Sequence, residues 1–192
     1  KSGQDSDELY KEKLEILAKN QETDFNSVIN SARAAFLLGN YFLSQQKINY
    51  LLKSELTDDQ KYFVAKNLYL DSNLYVAKQV FESINMDQAK EILEIINNKL
   101  LQADNIFSQG LNMYKKKKYK EAEVFFDETI KVLQTHKLAY LYSAYTFEKL
   151  NQKNKAISQL RTYAELENAY PSNKPELKPK QISILLQKWQ SK

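Results

Sequence analysis

Residues 103–130 read ADNIFSQGLNMYKKKKYKEAEVFFDETI, and the same pattern returns 34 places further along the chain. Ile106 pairs with Tyr140, Gly110 with Ala144, Met113 with Phe147, Ala122 with Ala156 and Phe126 with Leu160, all without a gap. Small residues therefore recur at two fixed places and large apolar residues at three. A period of a few tens of residues is how arrays of supersecondary units appear in a sequence.

On these residues the stretch resembles the tetratricopeptide repeat, a pair of antiparallel helices. In that family a small residue on the first helix, here Gly110 and then Ala144, lets the second helix approach. An aromatic at the turn corresponds to Tyr119. A second small residue falls at Ala122 and Ala156, with a large apolar residue one turn later at Phe126 and Leu160. The second copy departs from the pattern at Lys153, which stands where the turn aromatic is expected. Gln134 and Asn168 replace the usual proline, and Gln109 and Ser143 a usual leucine. Residues 70–102 fit a degenerate third copy, with Ala77 and Ala89 at the small places and Val80 and Leu93 at the apolar ones.

Outward from the repeats the helical pattern persists. Asp5 or Ser6 with Glu8 is expected to cap a helix carrying Tyr10, Leu14 and Leu17, after a polar tether, KSGQDSD. Ala32, Ala35, Phe36, Gly39 and Phe42 fall at helical spacing between about Asn26 and Ser44. Thr57 with Gln60 reads as a capping box before a helix bearing Phe63, Val64, Leu68 and Leu74. Downstream, YPSNKPELKP holds all three prolines of the chain, each of which removes a backbone donor and restrains its predecessor. Pro179 suits the first turn of a last helix with Ile182, Leu185, Leu186 and Trp189 on one stripe. That helix is expected to shield the open end of the stack.

The expectation is an all-α chain of about eight to ten helices. It comprises an N-terminal helical region (1–69), three repeats (70–102, 103–136 and 137–168) and a proline-containing linker with a capping helix (169–192). The resemblance implies a right-handed superhelical stack, with a concave groove lined by the first helix of each pair. By that resemblance the groove-facing residues are Phe107, Leu111, Tyr114 and Lys115, then Leu138, Leu141, Tyr145, Glu148 and Lys149. This aromatic and apolar lining suits either capture of a partner peptide or helix, or a groove filled by the chain's own C-terminal or N-terminal helix. Chaperone-binding members of the family clamp a terminal carboxylate with groove lysines and asparagines. Phe107, Leu111, Leu141 and Tyr145 stand at those places, so no such clamp is expected.

Other features narrow the function. Absence of cysteine removes disulfides, thiolate nucleophiles and cysteine metal sites. His136 is the only histidine and lacks partners for a zinc site; it is expected on the surface between repeats. Neither Gly39 nor Gly110 lies in a phosphate-binding loop, and Met86 and Met113 read as core filler. No enzyme, cofactor or metal is expected. Glu121, Glu123 and Glu128 belong on helix exteriors, and Asp58 and Asp59 at a helix start favour its positive end. The net charge is +4, carried by lysines beside only Arg33 and Arg161, a usage that disfavours nucleic acid. Lys115–Lys118 forms the most basic run, at a turn. Binding of nucleic acid or an anionic membrane surface through such lysines is the alternative function. No apolar run is long enough to span a bilayer. The first residue is Lys1, and lysine, asparagine and isoleucine are abundant. A removed signal or lipoprotein peptide and a simple truncation explain that start equally well; the expectation is a bacterial chain, processed or lipid-anchored in the periplasm or envelope in preference to the cytoplasm, acting as an adaptor that stabilises a membrane-associated protein.

Overall fold

The computed structural model describes residues 2–19 and 24–191. Among them are ten α-helices and no strand: α1 (Ser2–Ala18), α2 (Phe25–Leu37), α3 (Tyr41–Leu52), α4 (Asp58–Leu70), α5 (Leu74–Glu82), α6 (Asp87–Lys115), α7 (Tyr119–Val132), α8 (Lys137–Lys149), α9 (Lys153–Ala169) and α10 (Pro179–Gln190). No helix among the described residues is long and apolar enough to cross a membrane. The chain divides into two compact units, Lys1–Leu93 and Glu94–Lys192, with α6 contributing its first turns to one and the remainder to the other.

In the first unit α1 packs on α2, α2 on α3 and α4 on α5. Asp24 caps α2 by accepting from the Ser27 amide at 3.1 Å, and Asn40 caps α3 through the Leu43 amide. Thr57 and Gln60 form the expected capping box at α4. Arg33 on α2 holds Asp71 at the end of α4 with two hydrogen bonds, of 2.7 and 3.0 Å. A fork-to-fork pair of this kind fixes orientation as well as distance. In the second unit α7 packs on α8, α8 on α9 and α9 on α10.

Four helix pairs, α2/α3, α4/α5, α6/α7 and α8/α9, turn in the same way. Each turn holds one residue in the left-handed region: Gly39 (φ 76°), Ser72 (63°), Lys117 (60°) and Asn151 (59°). The next residue's amide reaches back to the carbonyls of Ala35, Leu68, Met113 and Phe147 at 2.9, 2.9, 3.0 and 2.8 Å. The turn residue's own amide bonds Phe36, Tyr69, Tyr114 and Glu148. This double bond pattern satisfies carbonyls that a helix end would otherwise leave open.

Aligned on that turn, the four pairs share a buried register. Seven places before it stand Ala32, Ala65, Gly110 and Ala144; five places after it stand Ser44, Ala77, Ala122 and Ala156; nine after it stand Ile48, Phe81, Phe126 and Leu160. All twelve are buried. The small side chains let the paired helices close, and the large ones fill the space beyond. Gly110 is the tightest case, since a Cβ there would lie 2.7 Å from the Phe126 ring.

The structure redraws several expectations. Residues 70–102 hold the end of α4, α5 and the first half of α6. Ala77 belongs to the second helix of a pair, and Ala89 to the start of α6. The long helix expected from about Asn26 to Ser44 is two helices, because Gly39 takes a positive φ between them. Leu74 starts α5 rather than ending α4. At the N-terminus α1 begins at Ser2, ahead of the cap expected at Asp5 or Ser6, and includes most of the presumed tether; Lys1 lies outside the described residues. Pro179 opens α10 as expected, with Ile182 and Trp189 buried against the unit.

Candidate partner-binding face

The second half of α6, α7 and α8 with its N-cap bring seven rings together. Phe107 lies at the base, 5.7 Å from Phe126, 4.8 Å from the His136 ring and 5.8 Å from Tyr142. Tyr142 stands edge-on to Tyr114 at 5.6 Å and to Tyr145 at 5.9 Å, and Tyr114 meets Tyr119 at 5.5 Å. Edge-to-face geometry is the favourable one for aromatic rings, whose positive edges meet negative faces. Tyr114, Tyr119, Tyr142 and Tyr145 remain half-buried, so each offers part of its ring to solvent. Packed aromatics of this kind present large contact area with little freedom left to lose.

The expected groove residues separate by depth. Leu111, Tyr114 and Tyr145 are half-buried, and Leu138, Lys115 and Lys149 are exposed. Glu148, half-buried, holds Lys149 at 3.0 Å. Phe107 is only 9% exposed, and Leu141 not at all, so both lie beneath the face rather than on it. The open series on α8 is Leu138, Tyr142, Tyr145 and Lys149, a helical stripe that includes Tyr142 in place of Leu141. One residue on a helix turns the side chain by more than a quarter-circle. Carrying positions over from the repeat therefore missed Tyr142, while the i, i+4, i+7, i+11 spacing within α8 would have found it.

Burial sets the electrostatics here. The Tyr145 hydroxyl is pushed up to about 12, first by desolvation and then by Tyr114, Tyr142 and Glu176 nearby. Tyr114 and Tyr142 are raised in the same direction, mainly by burial. All three are therefore neutral donors at physiological pH. Tyr163 is fully buried on α9, and its hydroxyl accepts from the Leu177 amide at 3.3 Å. That bond ties the proline-containing linker to α9. At the linker's start Lys137 bonds Glu167 at 3.2 Å, the Tyr170 carbonyl at 2.7 Å and the Ser172 hydroxyl.

His136 is not the surface residue expected from sequence. It is 6% exposed and caps α8, with Nδ1 accepting from the Ala139 amide at 3.1 Å and Nε2 facing Asp104 at 3.3 Å. Acceptance at Nδ1 places the proton on Nε2, pointing at the carboxylate. Desolvation lowers its pKa, against the pull of Asp104.

Lys115, Lys116, Lys117, Lys118 and Lys120 are all exposed beside the tyrosines, at the turn between α6 and α7. Lys117 takes the left-handed conformation there, a cost that a glycine would avoid. Among the described residues no group of three or more His, Asp or Glu side chains is arranged to hold a metal. Comparison with family models, curated proteins and solved structures found no match to this chain.

Proposed function

We propose that the chain is a tetratricopeptide-like superhelical scaffold that holds a protein partner on the aromatic face of α6 and α8. The observation that carries this is the ring cluster of Tyr114, Tyr119, Tyr142 and Tyr145, packed edge-to-face yet left half-open. Four phenol rings in one patch supply apolar area and hydroxyl groups together, which is the composition of protein-binding hot spots. The rim carries Lys115, Lys118 and Lys149, so the partner segment that complements it is apolar with acidic flanks. The chain acts as an adaptor rather than an enzyme, and its partner is a membrane-associated protein of a bacterial envelope.

The test is a Tyr114→Ala/Tyr145→Ala double variant. Both side chains are already half-open, so the fold survives, as circular dichroism would verify. Partner capture from the native cell falls by about tenfold or more, since truncating a hot-spot aromatic costs about 2 kcal/mol or more. Undiminished capture by the folded double variant removes the tyrosines from the site.

The exposed lysines of the α6/α7 turn favour a second reading, an anionic surface or nucleic acid as ligand. Its mark is affinity that falls steeply with added salt. Binding through the tyrosines, where only the rim is charged, falls less steeply.

A further inference from the structure

A cleft of about 660 Å³ opens between α9 and α10, where the terminal helix leaves its neighbour uncovered. From α9 come Lys153, Asn154, Ile157, Ser158, Arg161 and Thr162, one stripe at helical spacing; from α10 come Trp189 and Gln190. The lining holds two cations, several hydroxyl and amide groups and no carboxylate. Among the described residues neither Lys153 nor Arg161 takes part in an ion pair. Ile157, half-buried, and Trp189, which keeps 6% of its surface exposed, line the apolar side of the same space. The start of α9 adds to the positive character, because its N-cap, Gln152, makes no side-chain hydrogen bond to the first turn. The open amide end of a helix favours negative charge.

We propose that this cleft binds a phosphate monoester carried on a flat apolar group. Arg161 and Lys153 would take the phosphate oxygens, with Asn154 and Ser158 as neutral donors, and Trp189 and Ile157 would cover the apolar body. Arginine's planar fork suits phosphate better than a lysine alone, and Arg161 is one of only two arginines in the chain. Two sources share this chemistry: a free aryl or alkyl phosphate, and a phosphorylated side chain on a peptide. The site lies apart from the tyrosine face and stands without it.

Trp189 is the only tryptophan, so intrinsic fluorescence reports on the cleft directly. The full chain is titrated with phenyl phosphate, phenol, inorganic phosphate and a short phosphotyrosine peptide. The expected result is a saturable change with phenyl phosphate, a weaker one with inorganic phosphate and none with phenol at the same concentration. Arg161→Gln weakens phenyl phosphate by about tenfold, the loss of one charge-assisted pair. Ser158→Glu abolishes the response by placing a carboxylate in the cleft. Arg161 and Ser158 are both exposed, so the fold is kept, which thermal melts would verify. Tighter binding of the ester marks a small-molecule site, and tighter binding of the peptide a site for a modified protein segment; either sustains the proposal. Equal affinity for phenol or inorganic phosphate, an unchanged Arg161→Gln variant, or no saturable response overturns it.

Discussion

Gly110→Ala is the substitution whose sign depends most on the packing described above. In an open helix interior, replacing glycine by alanine stabilises by about 1 kcal/mol, because alanine loses less backbone entropy. At Gly110 the added methyl would lie 2.7 Å from Cε1 and 2.9 Å from Cδ1 of Phe126, and 3.0 Å from Cβ of Phe125. Phe126 has no exposed surface and sits against Phe107 and Tyr142, so its ring has no open space to swing into. Overpacking of this kind costs about 1–3 kcal/mol. Set against the propensity gain of about 1 kcal/mol, the overlap leaves a net loss of up to about 2 kcal/mol. For a chain of this length each kcal/mol lowers the melting temperature by about 2–4 °C. Urea unfolding followed by circular dichroism would show a lower midpoint with an unchanged slope. In a Phe126→Leu background, where the ring edge is gone, the same alanine becomes neutral or stabilising. A raised midpoint for Gly110→Ala in the natural background would refute the claim that this pair closes through a missing Cβ.

Lys117→Gly should stabilise by about 1 kcal/mol, by relieving the left-handed backbone while leaving an exposed turn otherwise unchanged; a rise in urea midpoint checks it. His136 gives a pH dependence with a definite sign. Its folded pKa is depressed, so the folded state binds fewer protons than the unfolded chain near the ordinary histidine range. The associated stability is present above about pH 6.5 and is lost as the pH falls through the folded pKa. Thermal melts across that range would show a fall towards acid, and His136→Asn, which keeps a capping acceptor, would remove this component.

The repeat was legible where its residue types were unambiguous. Gly110 with Ala144, Ala122 with Ala156 and Phe126 with Leu160 stand out at one spacing, and all six are buried in the structure. Upstream the same register was hidden for physical reasons. The turn position needs a positive φ, which Gly39 adopts freely but Ser72 and Lys117 also take, so no single residue type marks it. Ser44 stands at a place held elsewhere by alanine, because a small side chain suffices there. The turns at Gly39, Ser72, Lys117 and Asn151 are 33, 45 and 34 places apart. The middle interval includes the long α6, whose extra length of about three helical turns hides a search at constant period. On the candidate face, Tyr114 and Tyr145 were legible from the repeat. Tyr142 was not, since a family position carries over only if helix rotation is kept to within one residue. His136 was missed because a lone histidine gives no sign in sequence of whether its nitrogens find an amide and a carboxylate.

Partner contact at the tyrosine face can be read by placing a photoreactive phenylalanine analogue at position 114, 145 or 124 in turn and irradiating the native cell. Val124 is 63% exposed on α7 and serves as a surface control. A discrete adduct with the same protein from positions 114 and 145, and none from 124, is the outcome expected of a scaffold that works through these rings. Adducts from 124 but not from 114 or 145 would move the binding surface elsewhere and contradict the proposed site.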